Sequence, residues 1–255
     1  MIVLQPPLRS APDVVVAPAL AEAAGDAILR AILRCVRETG RCRLGLSGGT
    51  APVGAFQWLR THVPHELYGQ LRVTWVDERH LPVPNDLQPG EWQRLHADSN
   101  ARLAYEHWLG HVPLPHMQVL PMSVGADLRA EVVRFGRAFA HTFDGGLDVA
   151  VLGVGPDGHI ASLFPGHPGL EVDDLCFAVH DSPKPPAERI SLALPVLDRA
   201  RFKLVIAAGE AKSGVVARGW RGDRSLPLGR LDPRGCEFLV DPAAATDLLA
   251  TWSSP

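Results

Sequence analysis

Two rhythms of apolar residues alternate along the chain. Leu20, Ala23, Ala27, Ile28, Ala31, Ile32 and Val36 recur at helical spacing and predict a helix over 19–39, with Gly40 as its stop. Short unbroken apolar runs follow, as expected of strands buried on both faces. They are RCRLGL (41–46), LRVTWV (71–76) and LDVAVLG (147–153), the last being the clearest in the chain. QVLP (118–121) reads as another short strand. Pro52 is placed to open a second helix. Ser99 opens a third helix, running through about residue 109, and 126–143 reads as a fourth. The last third repeats the alternation. ERISLAL (188–194), FKLVIAA (202–208) and EFLVD (237–241) read as strands, EAKSGVVARG (210–219) as a helix and about 242–251 as a terminal helix. Residues 1–12 suit a Pro-containing tail or a first edge strand.

Strands alternating with helices predict a mostly parallel sheet covered on both faces. Ligands of such sheets bind beyond the carboxyl ends of the strands. The polar clusters SGG (47–49), DER (77–79) and GPDGH (155–159) each follow a predicted strand, so all three can face one crevice. No internal repeat interrupts the pattern, and the 255 residues suit one large domain spanning 1–255.

Composition narrows the functional classes. A formal net charge of −3 gives no sign of nucleic acid or an anionic membrane as partner, but leaves room for a small anionic substrate. The N-terminal residues lack a signal-peptide pattern, and no run of about 18 apolar residues predicts a transmembrane helix. A cytoplasmic location is the expectation. Cys35, Cys42, Cys176 and Cys236 are scattered without a C-x-x-C pair, which favours reduced thiols over a disulfide or zinc framework.

The Ser47-Gly48-Gly49-Thr50 loop can bring backbone amides, hydroxyls and a helix N-terminus to an anion, which suits a phosphate. Alone it reads equally well as a tight turn. It also fits the G-x-S-x-G pattern of serine hydrolases, but the elbow would follow almost the first strand, leaving no upstream loop for the oxyanion hole. Gly153, Gly155 and Gly158 form G-x-G-x-x-G after a strand. A dinucleotide site would need a long helix there; Pro165 and Gly166 forbid one, and Asp157 would oppose a pyrophosphate. The glycines better serve to place Asp157 and His159 in the crevice, with His159 as general base and Asp157 orienting it. Arg79 can stabilise an oxyanion or bind a carboxylate product. Arg189 and Lys212 look like surface charges singly, yet with the Ser47–Thr50 loop they could complete a phosphate clamp. His107 and His111 have helical i, i+4 spacing but no evident third metal ligand, so they read as a surface pair.

Taken in order, these segments resemble the 6-phosphogluconolactonase family, which is grouped with the glucosamine-6-phosphate deaminases. The matching residues are Leu46–Gly49, Val76–Arg79, Asp98–Asn100, Leu152–His159 with Ala161–Gly166, Arg189–Ser191 and Gly209–Lys212. The resemblance spans about 19–247, and the GPDGH–SLFPG string is its most specific part. It implies a Rossmann-like three-layer α/β sandwich and a lactone hydrolase needing no metal or organic cofactor. Its partner would be a small sugar-phosphate lactone, with the protein a monomer or homodimer. Ser47, Gly48, Gly49, Thr50, Arg189 and Lys212 would hold the phosphate. His159 would activate water, Arg79 would steady the reacting carbonyl, and Asp157 and Asp77 would line the same site.

Three departures stand out. The first loop of the family usually continues as Ser/Thr-Thr-Pro, and here it is Thr50-Ala51-Pro52, with one hydroxyl absent. Ile160 follows His159 where lactonases usually carry Thr and deaminases Ile. The stretch between Arg79 and Ser99 is longer than expected for the family, with Trp92 and its prolines suiting either a lid or a surface insertion. A deaminase is the rival enzyme. Deaminases typically carry an acidic residue after DGH, where this chain has Ser162-Leu163-Phe164-Pro165, and Tyr where it has Arg79. A non-catalytic sugar-phosphate-binding protein is the rival from another class.

Overall fold

A computed structural model describes residues 1–4, 11–125 and 127–252. Its main sheet has seven strands. They are β1 (Ile2–Leu4), β2 (Asp13–Val16), β3 (Cys42–Leu46), β4 (Leu71–Trp75), β6 (Val149–Gly153), β9 (Phe202–Ala207) and β10 (Cys236–Val240), in the order β1-β2-β10-β9-β6-β3-β4. Six run parallel, and β1 pairs antiparallel with β2 at one edge. The helices α1 (Leu20–Thr39), α2 (Val53–His62), α3 (Asn100–His107), α4 (Leu128–Thr142), α5 (Leu194–Asp198), α6 (Ser213–Trp220) and α7 (Thr246–Trp252) pack around it. This is the expected three-layer α/β architecture.

Burial explains why the central strands read as solid apolar runs. Leu44, Leu46, Val149, Val151, Leu152, Val205 and Ile206 are fully enclosed. The buried face of α1 carries Ala24, Ala27, Ile28, Ala31, Ile32 and Cys35, the spacing expected of a helix lying on a sheet. All four cysteines are buried and unpaired.

From β3 the chain moves outward to β4, whereas from β6 it moves the opposite way to β9 and β10. The carboxyl ends of β3 and β6 therefore flank the point where the connections diverge, the place such sheets offer to ligands. The Ser47–Thr50 loop leaves β3 and the GPDGH segment leaves β6.

A second, three-stranded antiparallel sheet was not foreseen. Its strands are β5 (Asp77–Arg79), β8 (Arg189–Leu192) and β7 (Cys176–Val179), with β8 in the middle. DER is thus a strand itself rather than a loop after one. The segment read as a strand over 188–194 joins this small sheet and not the main one. QVLP is corrected too. The chain makes a 3₁₀ turn at His116–Gln118, and only a single bridge pairs Val119 with Val73. Thr74 Oγ1 donates to the Leu120 carbonyl at 2.8 Å, using a side chain where a ladder would use backbone.

The helix over 19–39 and its Gly40 stop are as expected. Ser99 caps α3, accepting from the Arg102 amide at 3.2 Å. Residue 126, the expected start of α4, lies outside the described residues, as does 5–10 of the N-terminal segment. α4 begins at Leu128, capped by Asp127. The first turn of the helix expected from 210 is 3₁₀ (Glu210–Lys212), and the last helix starts at Thr246.

A buried cation sits at the start of β9. Lys203 is 2% exposed, and its ammonium donates to the carbonyls of Asp198 (3.0 Å), Arg234 (2.9 Å) and Ala200 (3.4 Å). It ties the end of α5 to the turn before β10. Lys203→Met keeps most of the bulk but leaves those carbonyls unpaired, an expected loss of about 2–4 kcal/mol. Urea unfolding would measure it, and a change within about 0.5 kcal/mol, ordinary for a surface site, would contradict this role.

Candidate active site

Ser47, Gly48, Gly49, Thr50, Asp77, Arg79, His159, Arg189 and Lys212 all line one cavity of about 300 Å³ at the carboxyl ends of β3 and β6. Asp157 stands immediately behind His159. All ten sequence-nominated residues thus converge, from five separate stretches of chain. Asn100, Ala161 and Lys184 also line the cavity.

Close packing of the two sheet-end loops builds the floor. The Gly153 amide donates to Ser47 Oγ at 3.1 Å. That bond holds the Ser47 hydroxyl against backbone, and no histidine pairs with it among the described residues, unlike a hydrolase nucleophile. A side chain at position 48 would place its Cβ 1.7 Å from Asn100 Oδ1, so only glycine lets Asn100 lie there. Asn100 Nδ2 in turn donates to the Asp77 carbonyl (2.9 Å) and to Asp77 Oδ1 (3.2 Å). Asp77 Oδ2 accepts from Ser162 Oγ at 2.7 Å and lies 3.7 Å from Arg189 Nη1. Asp77 is a buried, fully engaged carboxylate that fixes its neighbours.

Glu78 does similar work one residue on. Its carboxylate accepts from the amides of Arg79, Asn100 and Ala101 and from Ser99 Oγ, so it caps α3 from a distant strand. Burial pushes its carboxyl up to about 6, with those four hydrogen bonds pulling the other way.

The catalytic candidate is His159. Its Nδ1 lies 2.5 Å from Asp157 Oδ1, and its ring meets Phe164 at a centroid distance of 4.8 Å. An ionised carboxylate can only accept, so Nδ1 carries the proton and Nε2 keeps a free lone pair. Burial lowers the imidazole below its ordinary value, outweighing the Asp157 carboxylate, whose charge and hydrogen bond raise it. Asp157 is partly buried, which would raise it, but the His159 contact and Lys184 hold it below its usual range. The pair therefore rests as carboxylate and neutral imidazole, the state a general base requires. After β6 the chain forms turns and opens no helix, so the dinucleotide reading of the glycines has no structural counterpart.

Cations dominate the walls. Among the described residues, Arg79, Lys184, Arg189 and Lys212 line the cavity against the single carboxylate of Asp77. Arg79 and Arg189 sit directly opposite each other across β5 and β8. Such like-charge pairing is ordinarily unfavourable, so its presence beside a cavity suits an anionic ligand. Arg79 donates from Nη1 to the Asp98 carbonyl, while its buried Nε has no partner among the described residues. Arg189 is more constrained than a plain phosphate ligand would be. Nε donates to the Pro186 carbonyl (3.1 Å) and Nη2 to the carbonyls of Lys184 (2.9 Å) and Pro185 (3.5 Å). It thus shapes the 184–186 loop and leaves only Nη1 toward Asp77. The Lys212 ammonium makes no hydrogen bond or ion pair with a described residue, and burial together with Lys184 lowers it.

Sequence reasoning quoted Asn100 and Ser162 without giving them roles, and it missed Lys184. No motif marks that lysine; it reaches the cavity because Arg189, five residues on, holds its loop. The 80–98 stretch behaves as a surface insertion. Trp92 is buried, Arg94 pairs with Asp86 and Glu91, and no residue of 80–98 lines the cavity. His107 faces Gln57, and His111 faces the Glu106 carbonyl.

A family model described as glucosamine-6-phosphate isomerases/6-phosphogluconolactonase matches residues 16–240. The chain belongs to that family. A 6-phosphogluconolactonase of Rattus norvegicus is 34% identical over 227 residues, covering 80% of each chain. Among solved structures, the 6-phosphogluconolactonase of Trypanosoma cruzi superposes with a TM-score of 0.78 at 24% identity, covering 94% of this chain and 98% of that one. A monomeric glucosamine-6-phosphate deaminase superposes nearly as well, with a TM-score of 0.74 at 19% identity, covering 92% and 98%. Both branches of the family share this fold, so the side chains of the site must separate them.

Gly155 offers a direct check on the site's construction. A Cβ there would fall 2.1 Å from His159 Nδ1 and Cε1. Gly155→Ala is expected to push the ring off Asp157 while the fold survives. In a ¹⁵N-histidine NMR spectrum, the bonded Nδ1–H signal of His159 should be lost in the variant. Its persistence would show that the loop yields instead of the ring.

Proposed function

We propose that this protein is a 6-phosphogluconolactonase, hydrolysing 6-phospho-D-glucono-1,5-lactone to 6-phospho-D-gluconate. The observation that carries the reading is the make-up of the cavity: one neutral imidazole held by a carboxylate, surrounded by cations, with no other free acid among the described residues. Ester hydrolysis of an anionic substrate asks for that set. Opening and isomerising an amino sugar needs further acid/base groups. Here Asp77 is tied to Ser162, Asn100 and Arg189, and the segment after His159 supplies Ser162 and Phe164 in place of a carboxylate.

The substrate phosphate docks at the Ser47–Thr50 loop with Lys212 and Arg189, where backbone amides and the start of α2 favour a dianion. C1 then lies over His159. Its Nε2 takes a proton from water as the water oxygen bonds to C1. Arg79 stabilises the tetrahedral oxyanion. As the intermediate collapses, the bond from C1 to the ring oxygen breaks, and the imidazolium returns its proton to that oxygen. Asp157 steadies the ring through both transfers. Positioning and electrostatics supply the acceleration, and the chemistry calls on no organic cofactor. On this reading the protein acts in the cytoplasm, in the oxidative pentose phosphate pathway.

The test is hydrolysis of freshly generated lactone against its spontaneous background. Wild type should exceed the background strongly, and His159→Ala should lose about 10²–10⁴ in rate. No excess over background in the wild type would reject the lactonase reading, and glucosamine 6-phosphate would be the next substrate. Survival of activity in His159→Ala would reject the base alone.

The pH profile provides a separate test. Burial favours the neutral ring, so His159 remains a base at pH values where an exposed imidazole would already be protonated. The acid limb of kcat/KM is expected below the ordinary imidazole value of 6.5. A limb at or above that value would contradict the neutral resting state.

A further inference from the structure

Lys184 holds a position in the site that the reaction as described leaves unused. Its Nζ lies 3.7 Å from Asp157 Oδ1, the same oxygen that faces His159 Nδ1 at 2.5 Å. The ammonium makes no hydrogen bond to any described residue. Its backbone, by contrast, is pinned. The Lys184 carbonyl accepts from Arg189 Nη2 (2.9 Å) and Ser182 Oγ (2.8 Å), and the Lys184 amide donates to Ser182 Oγ (3.3 Å). The side chain is 43% exposed and free to swing from that fixed root. Lys212 lines the same cavity, close enough for the two ammonium groups to repel.

We infer that Lys184 is a substrate-sensing positioning residue: in the free protein its ammonium shares Asp157 with His159, and a bound phosphate dianion draws it toward Lys212, leaving Asp157 to His159 alone. Substrate binding would then strengthen the base at the moment it is needed. The identity of the dianion rests on the lactonase reading; the competition for Asp157 does not.

Electrostatics agree in sign. Lys184 is among the groups that lower the His159 imidazole, alongside burial, while Asp157 and Asp77 raise it. The other charged groups lining the cavity around the ring are Arg79 on β5, Arg189 on β8 and Lys212 before α6. These stay constant when Lys184 alone is changed.

The experiment is an NMR titration of His159 in the full chain, for wild type, Lys184→Met and Lys184→Arg, with and without saturating 6-phosphogluconate. Without ligand, Lys184→Met should titrate about 0.5–1 pH unit higher than wild type, and Lys184→Arg should match wild type. Ligand should raise His159 in all three, but by less in Lys184→Met, where no ammonium is left to remove. In kinetics, the acid limb of kcat should lie above that of kcat/KM in wild type, and the gap should shrink in Lys184→Met. Identical free-state titrations in all three proteins would overturn the inference. So would an equal ligand-induced rise in wild type and Lys184→Met, because the ammonium would then stay on Asp157. Absence of lactone turnover in wild type would instead reject the functional reading, since the ligand-free titration needs no activity.

Discussion

The hydrogen bond from the Gly153 amide to Ser47 Oγ closes the gap between two loops that the sheet topology would otherwise let diverge. Both loops are also built around glycines that make room for polar side chains. Gly48 gives up the space that Asn100 occupies, and Gly155 gives up the space of the His159 ring. Each glycine lets a polar side chain lie against backbone, and each of those side chains then orients an acid: Asn100 holds Asp77, and His159 faces Asp157. The geometry of the site thus follows from backbone approach more than from the identity of any single charged residue. A methyl group at either glycine costs more than its own volume, because the displaced side chain takes its contact with Asp77 or Asp157 with it.

The second constraint is the small antiparallel sheet. Arg79 and Arg189 meet across it in register, and Glu78 between Asp77 and Arg79 turns its carboxylate to the amides that begin α3. Strand alternation sends Asp77 and Arg79 to one face and Glu78 to the other. A three-residue segment therefore contributes two groups to the cavity and one anchor to the scaffold. The anchor fixes the strand against α3, so the cations opposite the base cannot drift apart despite their mutual repulsion.

Much of this was legible in the sequence, for identifiable reasons. Strands buried on both faces must be continuous apolar runs, so β3, β4, β6 and β9 declare themselves. Helices on a sheet need a helical apolar stripe, so α1 does too. The three polar clusters could be assigned to one crevice because ligands of parallel sheets gather at strand ends. The small sheet was not legible. Only β8 was read as a strand, and it was assigned to the main sheet; β5 and β7 are three and four residues long, too short for a period to show, and β5 carries Asp, Glu and Arg, which propensity reads as a turn. QVLP misled in the opposite direction: its composition suits a strand, but the edge of β4 offers it only one bridge. Lys184 was invisible because its place depends on a side-chain clamp by Arg189 that no local pattern encodes. The same clamp changes the reading of Arg189, which spends three of its five donors on carbonyls and so is half scaffold.

Side-chain satisfaction also separates the two chemistries that share this fold. Backbone superposition gives a lactonase and a deaminase almost equal likeness to this chain, so the decision falls to which carboxylates are available to move protons. A carboxylate that already accepts from a serine and an asparagine, with an arginine alongside, has its oxygens engaged and is poorly placed to shuttle protons. Asp77 is in that condition. Asp157 is committed to His159. The cavity is left with one basic nitrogen and a surplus of positive charge, which can accept a proton from water and hold the oxyanion that results. It has no second free acid with which to relay protons along a sugar chain. The pattern of occupied and unoccupied hydrogen-bonding groups, read residue by residue, therefore points to hydrolysis where the fold alone is neutral.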